Sequence, residues 1–232
     1  MFFLTMISLL IALGIWQLNR AEEKKTQALQ ISERISSETL VLNNNSSIKN
    51  TQLLLQKDLA YRQIKLSGHF DITNQYFVDN KKYNTRTGYH VISPFIIEQS
   101  QQTILVNRGW VDSGGRRNVL PTVKTNEANI TLDGQLSLPV KARFRPGISQ
   151  PAENLGGIWL YNDLDFYSQL SGTKLVPYIL LLDKQNPHGF IRQWPEFKAN
   201  TEMHVGYAIQ WFAFALFSLL AYLSIATKRI HK

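Results

Sequence analysis

The 232-residue chain has no cysteine, only three methionines and only five histidines. Without cysteine there is no disulfide framework, no thiolate zinc site, no Cys nucleophile and no thiol redox chemistry. So little sulfur also argues against a copper carrier, because Cu(I) prefers soft ligands. A phosphate-cradling glycine loop, an H-E-x-x-H helix and a nucleophile elbow are all missing. Gly109 and the Gly114-Gly115 pair stand in strand and turn contexts, as backbone devices. Asp163 and Asp165 form a carboxylate pair that helix capping explains equally well. His69, His90 and His188 fall on separate segments and read as surface or internally satisfied groups. The net charge is +8, yet the basic residues are spread along the chain. No basic block interleaved with aromatics marks a nucleic-acid groove. Such a diffuse balance fits solvation with some attraction to anionic lipid headgroups.

What the chain does have is two long apolar runs. From 205 to 226 there is no charged side chain, and about 20 apolar residues suffice to cross a bilayer core as a helix. The entrance to this run is polar and aromatic, with His204, Tyr207, Gln210 and Trp211; its exit is basic, with Lys228, Arg229 and Lys232. At about 100° per residue, His204, Tyr207, Ala208, Trp211, Ala215, Ser218 and Tyr222 share one stripe, with Gln210 beside it. A stripe with small residues lets a partner helix or a flat ligand come close. The alternative is an aromatic belt at headgroup level with an ordinary hydrated histidine.

The other run is 2–18. No basic region precedes it and no small-x-small cleavage site follows it; Trp16, Gln17, Asn19 and Arg20 stand there instead. It therefore reads as a retained anchor rather than a signal peptide or an Arg-rich leader. The run begins almost at Met1, so a start a few residues upstream is expected. Two spans put both termini on one side, and the basic C-terminal tail marks that side as cytoplasmic. Arg20, Lys24 and Lys25 pull the other way, but long domains translocate largely regardless of flanking charge. The expected layout is a first span over 1–19, an extracytoplasmic domain over 20–203, a second span over 204–227 and a basic tail over 228–232. In a bacterium this is a multi-pass inner-membrane protein whose domain lies in the periplasm.

The middle, about 180 residues, suits one domain. Residues 21–56 are polar and helical in parts, with a break at Asn43–Ser47. Runs rich in β-branched and aromatic residues follow at 61–70, 75–80, 89–97, 103–112, 129–136 and 176–183, each bounded by turn residues. One short helix is expected at 163–170 with Asn162 as its cap. The fold class is thus a membrane protein of α+β type, two transmembrane helices flanking a mainly antiparallel β domain.

Four stretches carry a resemblance: Leu13-Gly-Ile-Trp-Gln-Leu-Asn-Arg20, Gly88-Tyr-His-Val-Ile-Ser-Pro-Phe95, Ile104-Leu-Val-Asn-Arg-Gly-Trp-Val111 and His204-Val-Gly-Tyr-Ala-Ile-Gln-Trp211. Each alone is weak, but in this order they closely resemble the Surfeit-locus-one (Shy-one) family over the whole chain. The resemblance implies a non-catalytic assembly factor for haem–copper cytochrome c oxidase that carries haem a as cargo towards oxidase subunit I. Haem a synthase and the lipid bilayer are then its other partners. It further implies that His204 ligates the haem iron, with Tyr207, Gln210, Trp211, Trp16, Gln17 and Arg20 around it. Imidazole is a standard axial ligand, aromatic rings suit the faces of a macrocycle, and Arg20 suits anionic propionates, although a snorkelling anchor explains it equally. Two other readings stay open: a scaffold that steadies subunit I without holding haem, and a membrane-tethered enzyme, for which no acid–base or metal constellation speaks.

Overall fold

The computed structural model describes residues 2–42, 54, 59–98, 100–115, 120–125, 128–139, 155–195, 197 and 199–230. The expected break at Asn43–Ser47 and the tail residue Lys232 lie outside them. The chain divides into two compact units, one formed by 1–33 with 196–232 and the other by 34–195.

The first unit consists of two long helices, α1 (Phe2–Ser36) and α3 (Thr201–Ile230). Within the apolar part of α1, the Thr5 and Ser8 hydroxyls donate to the carbonyls of Phe2 and Leu4. No hydroxyl there needs water, as a lipid environment requires. The helix does not end with its apolar stretch. It runs on through a charged segment with local pairs, Arg20 to Glu23 at 2.6 Å and Lys25 to Glu22 at 3.8 Å, of the kind that supports an exposed helix surface. The polar segment after residue 20, expected to be helical in parts, is therefore one uninterrupted helix as far as Ser36. Both helices are long and apolar enough to cross a bilayer. Only 6% and 11% of their apolar windows are buried, which is not the state of a helix at the centre of a soluble core.

The second unit is built on one sheet of eight strands: β1 (Leu40–Leu42), β2 (Gln63–Phe70), β3 (Tyr76–Tyr83), β4 (Arg86–Ile97), β5 (Thr103–Asp112), β6 (Ile130–Ser137), β7 (Gly157–Trp159) and β8 (Leu175–Leu182), with the short helix α2 (Leu164–Ser171) between the last two. The order is β1-β2-β6-β8-β5-β4-β3-β7, and an additional β2–β4 pairing closes β2, β6, β8, β5 and β4 into a five-stranded barrel. Five pairings are antiparallel; β1–β2, β3–β7 and β5–β8 are parallel. Closure joins Gly68–Phe70 to Phe95–Ile97. It needs a glycine at 68, where a Cβ would collide with the Ile96 carbonyl oxygen.

Alternation explains the core. β2 buries Ile64, Leu66 and Phe70, and β6 buries Leu132 and Leu136, every second residue, as the pleat dictates. They meet Phe95, Ile97, Ile104, Val106, Val176, Tyr178 and Leu180 in one cluster. β5 is buried on both faces, because Leu105 packs outward into a second cluster with Tyr76, Trp159 and Tyr167. There the Tyr76 and Trp159 rings stack at 4.5 Å. This second cluster requires α2, whose N-cap is Asp163, its side chain accepting from the Phe166 N–H at 3.0 Å. The expected cap, Asn162, instead accepts from the Tyr76 hydroxyl at 3.2 Å.

Candidate functional site

The helix pair is held by small residues opposite large ones. Phe3 meets Tyr222 with ring centroids 5.8 Å apart. A Cβ on Gly14 would come within 2.6 Å of the Phe212 ring, and Gln17 meets His204. Residue numbers rise on α1 as they fall on α3, so the two run antiparallel. On α3, Ala208 and Ala215 are buried, and His204, Trp211, Ser218 and Tyr222 are half-buried. The stripe anticipated from helical arithmetic is the face turned to α1, with one exception: Tyr207, at its margin, is 46% exposed.

The hydrogen bond between His204 Nδ1 and Gln17 Oε1 is 2.8 Å. A carboxamide oxygen can only accept, so Nδ1 carries the proton and donates. In the neutral ring the other nitrogen, Nε2, then keeps its lone pair. Among the described residues it has no hydrogen-bonding partner. Fixing the tautomer and ring orientation through one nitrogen while the other stays free is how proteins prepare a histidine for a metal.

Of the other anticipated residues, Trp211 lies half-buried on the same face, its ring against Phe214 with centroids 6.1 Å apart. Gln210 and Trp16 are exposed, Trp16 by 58%. Arg20 is exposed and reaches along its own helix to Glu23. The structure thus brings together His204 and Gln17, with Trp211 on the shared face. It leaves Trp16, Arg20, Tyr207 and Gln210 on outer surfaces of the pair. Sequence reasoning missed Gly14, the point of closest approach to Phe212, although it lies within the first resembling stretch.

In the β unit His90 is half-buried, and its Nδ1 is paired. Asn107 Nδ2 donates to its Nδ1 at 3.1 Å, and burial, with Lys81 nearby, lowers its pKa to about 4. Among the described residues no group of three or more His, Asp or Glu could hold a metal ion.

Together these features define a class: a small β-barrel protein with two apolar helices long enough for a bilayer, one of them offering an oriented imidazole beside the other. The chain belongs to the SURF1 family, whose family model matches residues 4–216. A SURF1-like protein of Rickettsia bellii is 27% identical over 221 residues, which cover 92% of this chain and 85% of the relative. Surfeit locus protein 1 of Xenopus tropicalis is 28% identical over 222 residues, 87% of this chain and 67% of its own. The same-named protein of Gallus gallus is 28% identical over 221 residues.

Proposed function

We propose that this protein is a non-catalytic assembly factor for haem–copper cytochrome c oxidase, and that its helix pair holds haem a through His204 for delivery to oxidase subunit I. The observation that carries this reading is the His204–Gln17 hydrogen bond at 2.8 Å, which frees Nε2 for iron. A lone histidine is a poor site for a free metal ion, which needs several protein ligands. It is sufficient for haem, because the macrocycle supplies the remaining in-plane donors and the protein supplies only an axial one. The apolar, small-residue surface of the pair suits a flat ligand, and the half-buried Trp211 offers it a ring. Trp16, Tyr207 and Gln210, exposed on the same helices, remain available to such a ligand, as does Arg20 to its carboxylates. A single axial bond also suits cargo that must be released. Haem a synthase is the natural donor and subunit I the acceptor. Both termini lie in the cytoplasm and the β unit lies outside it in this reading, on account of the basic residues after the second apolar run.

The test is the visible spectrum of protein purified from cells that make haem a. His204→Ala eliminates the Soret band and lowers haem a in the oxidase. Gln17→Leu, which leaves the imidazole but not its orienting acceptor, lowers occupancy by about 10- to 100-fold, as loss of a ligand's supporting partner does elsewhere. Trp211→Phe weakens binding partially, by about 1–3 kcal/mol at most. A His204→Ala protein that copurifies with as much haem a as the wild type rejects the assignment and leaves the haem-free scaffold.

A further inference from the structure

The strand β5 changes partner at a bulge, and the bulge buries a cation. Val91 pairs with Gly109 and Ile92 with Asn107, so Arg108 is the extra residue. Gly109 adopts φ +112°, a conformation that side chains resist and glycine accepts. Before the bulge β5 lies along β8; after it, the chain at 190–191 takes over. Phe190 N–H donates to the Arg108 carbonyl at 2.7 Å, and Trp110 N–H to the Ile191 carbonyl at 2.7 Å.

The Arg108 side chain is only 3% exposed. Its guanidinium carbon lies over the rings of Phe70 and Phe190, 4.6 and 4.9 Å from their centroids, and its hydrogen bonds are made at its edges. Nε donates to the His188 carbonyl at 2.8 Å. Nη1 has three acceptors for its two hydrogens: Thr125 Oγ1 at 2.6 Å, Gln75 Oε1 at 3.2 Å and Ser93 Oγ at 3.4 Å. Nη2 also has two hydrogens, but among the described residues only the Lys124 carbonyl at 3.4 Å accepts from it. Every one of these acceptors is neutral. Buried charges are ordinarily matched by an opposite charge, and among the described residues Arg108 has no carboxylate partner. The neighbouring Arg192 gives its hydrogens to the carbonyls of Asp183, Lys184 and Asn186 and adds positive charge.

Arg108 opens onto a cavity of about 360 Å³ that Lys124, Thr125, His188 and Phe190 also line, a volume in the range of small-molecule sites. We propose that this cavity binds the oxyanionic head of a small ligand, a carboxylate or a phosphate, between the Nη2 edge of Arg108 and the ammonium of Lys124. The chemistry is that of a charge-assisted site with one fixed fork and one mobile point charge. Burial lowers the Arg108 pKa to about 10, with Arg192 adding to it, so at neutral pH the guanidinium is still charged. Burial, and Arg108 beside it, also lower that of His188, which supplies a neutral imidazole to the wall.

Two probes distinguish the sources of such a head: inorganic phosphate and propionate, each titrated calorimetrically into the full chain in neutral detergent. The expected result is one-site binding of one of them with a dissociation constant of about 1 mM or tighter, weakening as sodium chloride is raised. Lys124 is exposed, so Lys124→Glu leaves the fold intact and weakens binding at least tenfold. Arg108→Lys keeps the charge but loses the planar fork, and weakens it similarly while the barrel stays folded by circular dichroism. If neither anion binds the wild type, or if Lys124→Glu binds as tightly, the cavity is no more than the socket of a structural arginine.

Discussion

At the scale of single residues, two histidines illustrate opposite fates of one side chain. His204 uses Nδ1–H as a donor and keeps Nε2 open. His90 accepts at Nδ1 from Asn107, whose own Oδ1 accepts from the Gly109 N–H at 3.2 Å. His90 is therefore tied to the bulge, and its surroundings of Lys81, Asn107 and the edge of Trp194 bring it a positive charge and no carboxylate among the described residues. Its pKa is about 4 in the fold, against the ordinary value of 6.5. Between those two values the unfolded chain takes up a proton that the folded chain refuses. Stability present in full above about pH 6.5 is thus lost as the pH falls towards 4, by up to about 3 kcal/mol. Denaturant midpoints measured at pH 7, 5.5 and 4.5 should fall more steeply for the wild type than for His90→Gln, whose amide oxygen can accept from Asn107 and does not titrate. Equal slopes would remove His90 as the cause.

At the scale of elements, the helix pair rests on glycine in one place and is indifferent to it in another. A Cβ at Gly14 meets Phe212, whereas one at Gly206 meets nothing within 4 Å. Gly14→Leu should separate the helices at a cost of about 1–3 kcal/mol. Gly206→Ala should leave the pairing unchanged and favour the helix by up to about 1 kcal/mol. The absence of native cysteine gives a clean readout: a disulfide engineered with Phe3→Cys and Tyr222→Cys should form less efficiently with Gly14→Leu, and as well as before with Gly206→Ala. Both glycines sit in the stretches that carry the family resemblance, and sequence alone does not separate them. One strand face or helix stripe can be read from periodicity. Which residue of a second element meets it cannot, so the α3 stripe was legible and the resemblance brought Gln17 to the site, but its role as the acceptor for His204 was legible in neither. The six longer strands were legible because each is a run of eight residues or more, rich in β-branched or aromatic side chains and bounded by turn residues. β1 and β7, at three residues each, are too short for a period to register. The short helix was legible to within a residue, but Asn162 and Asp163 are equally good caps by type, and the Tyr76 hydroxyl decides between them by engaging Asn162. Arg108 left one readable signal, a charged residue followed by glycine inside an apolar strand, which is how a bulge looks in sequence.

At the scale of the whole molecule, the proposed orientation has its own test. A reporter active only outside the cytoplasm should work when fused after residue 198 and stay silent when fused after residue 232; the reverse pattern would overturn it. The closed barrel has a consequence in time rather than in space. β8 is the stave that joins β5 to β6, and it begins at Leu175. β5 ends at Asp112, so the two are separated by the 62 residues 113–174. At about 5–20 residues per second the ribosome needs about 3 to 12 seconds to make the intervening segment. Until it does, β5 and β6 each have a hydrophobic strand edge with no partner, and such edges invite pairing with other chains. The native neighbour on that edge of β5 is parallel, which a hairpin with an adjacent segment cannot supply. The nascent polypeptide therefore passes through an interval in which it must be kept from its own kind. Products that stop before Leu175 never leave that interval, and aggregate or are degraded instead of accumulating as shortened barrels.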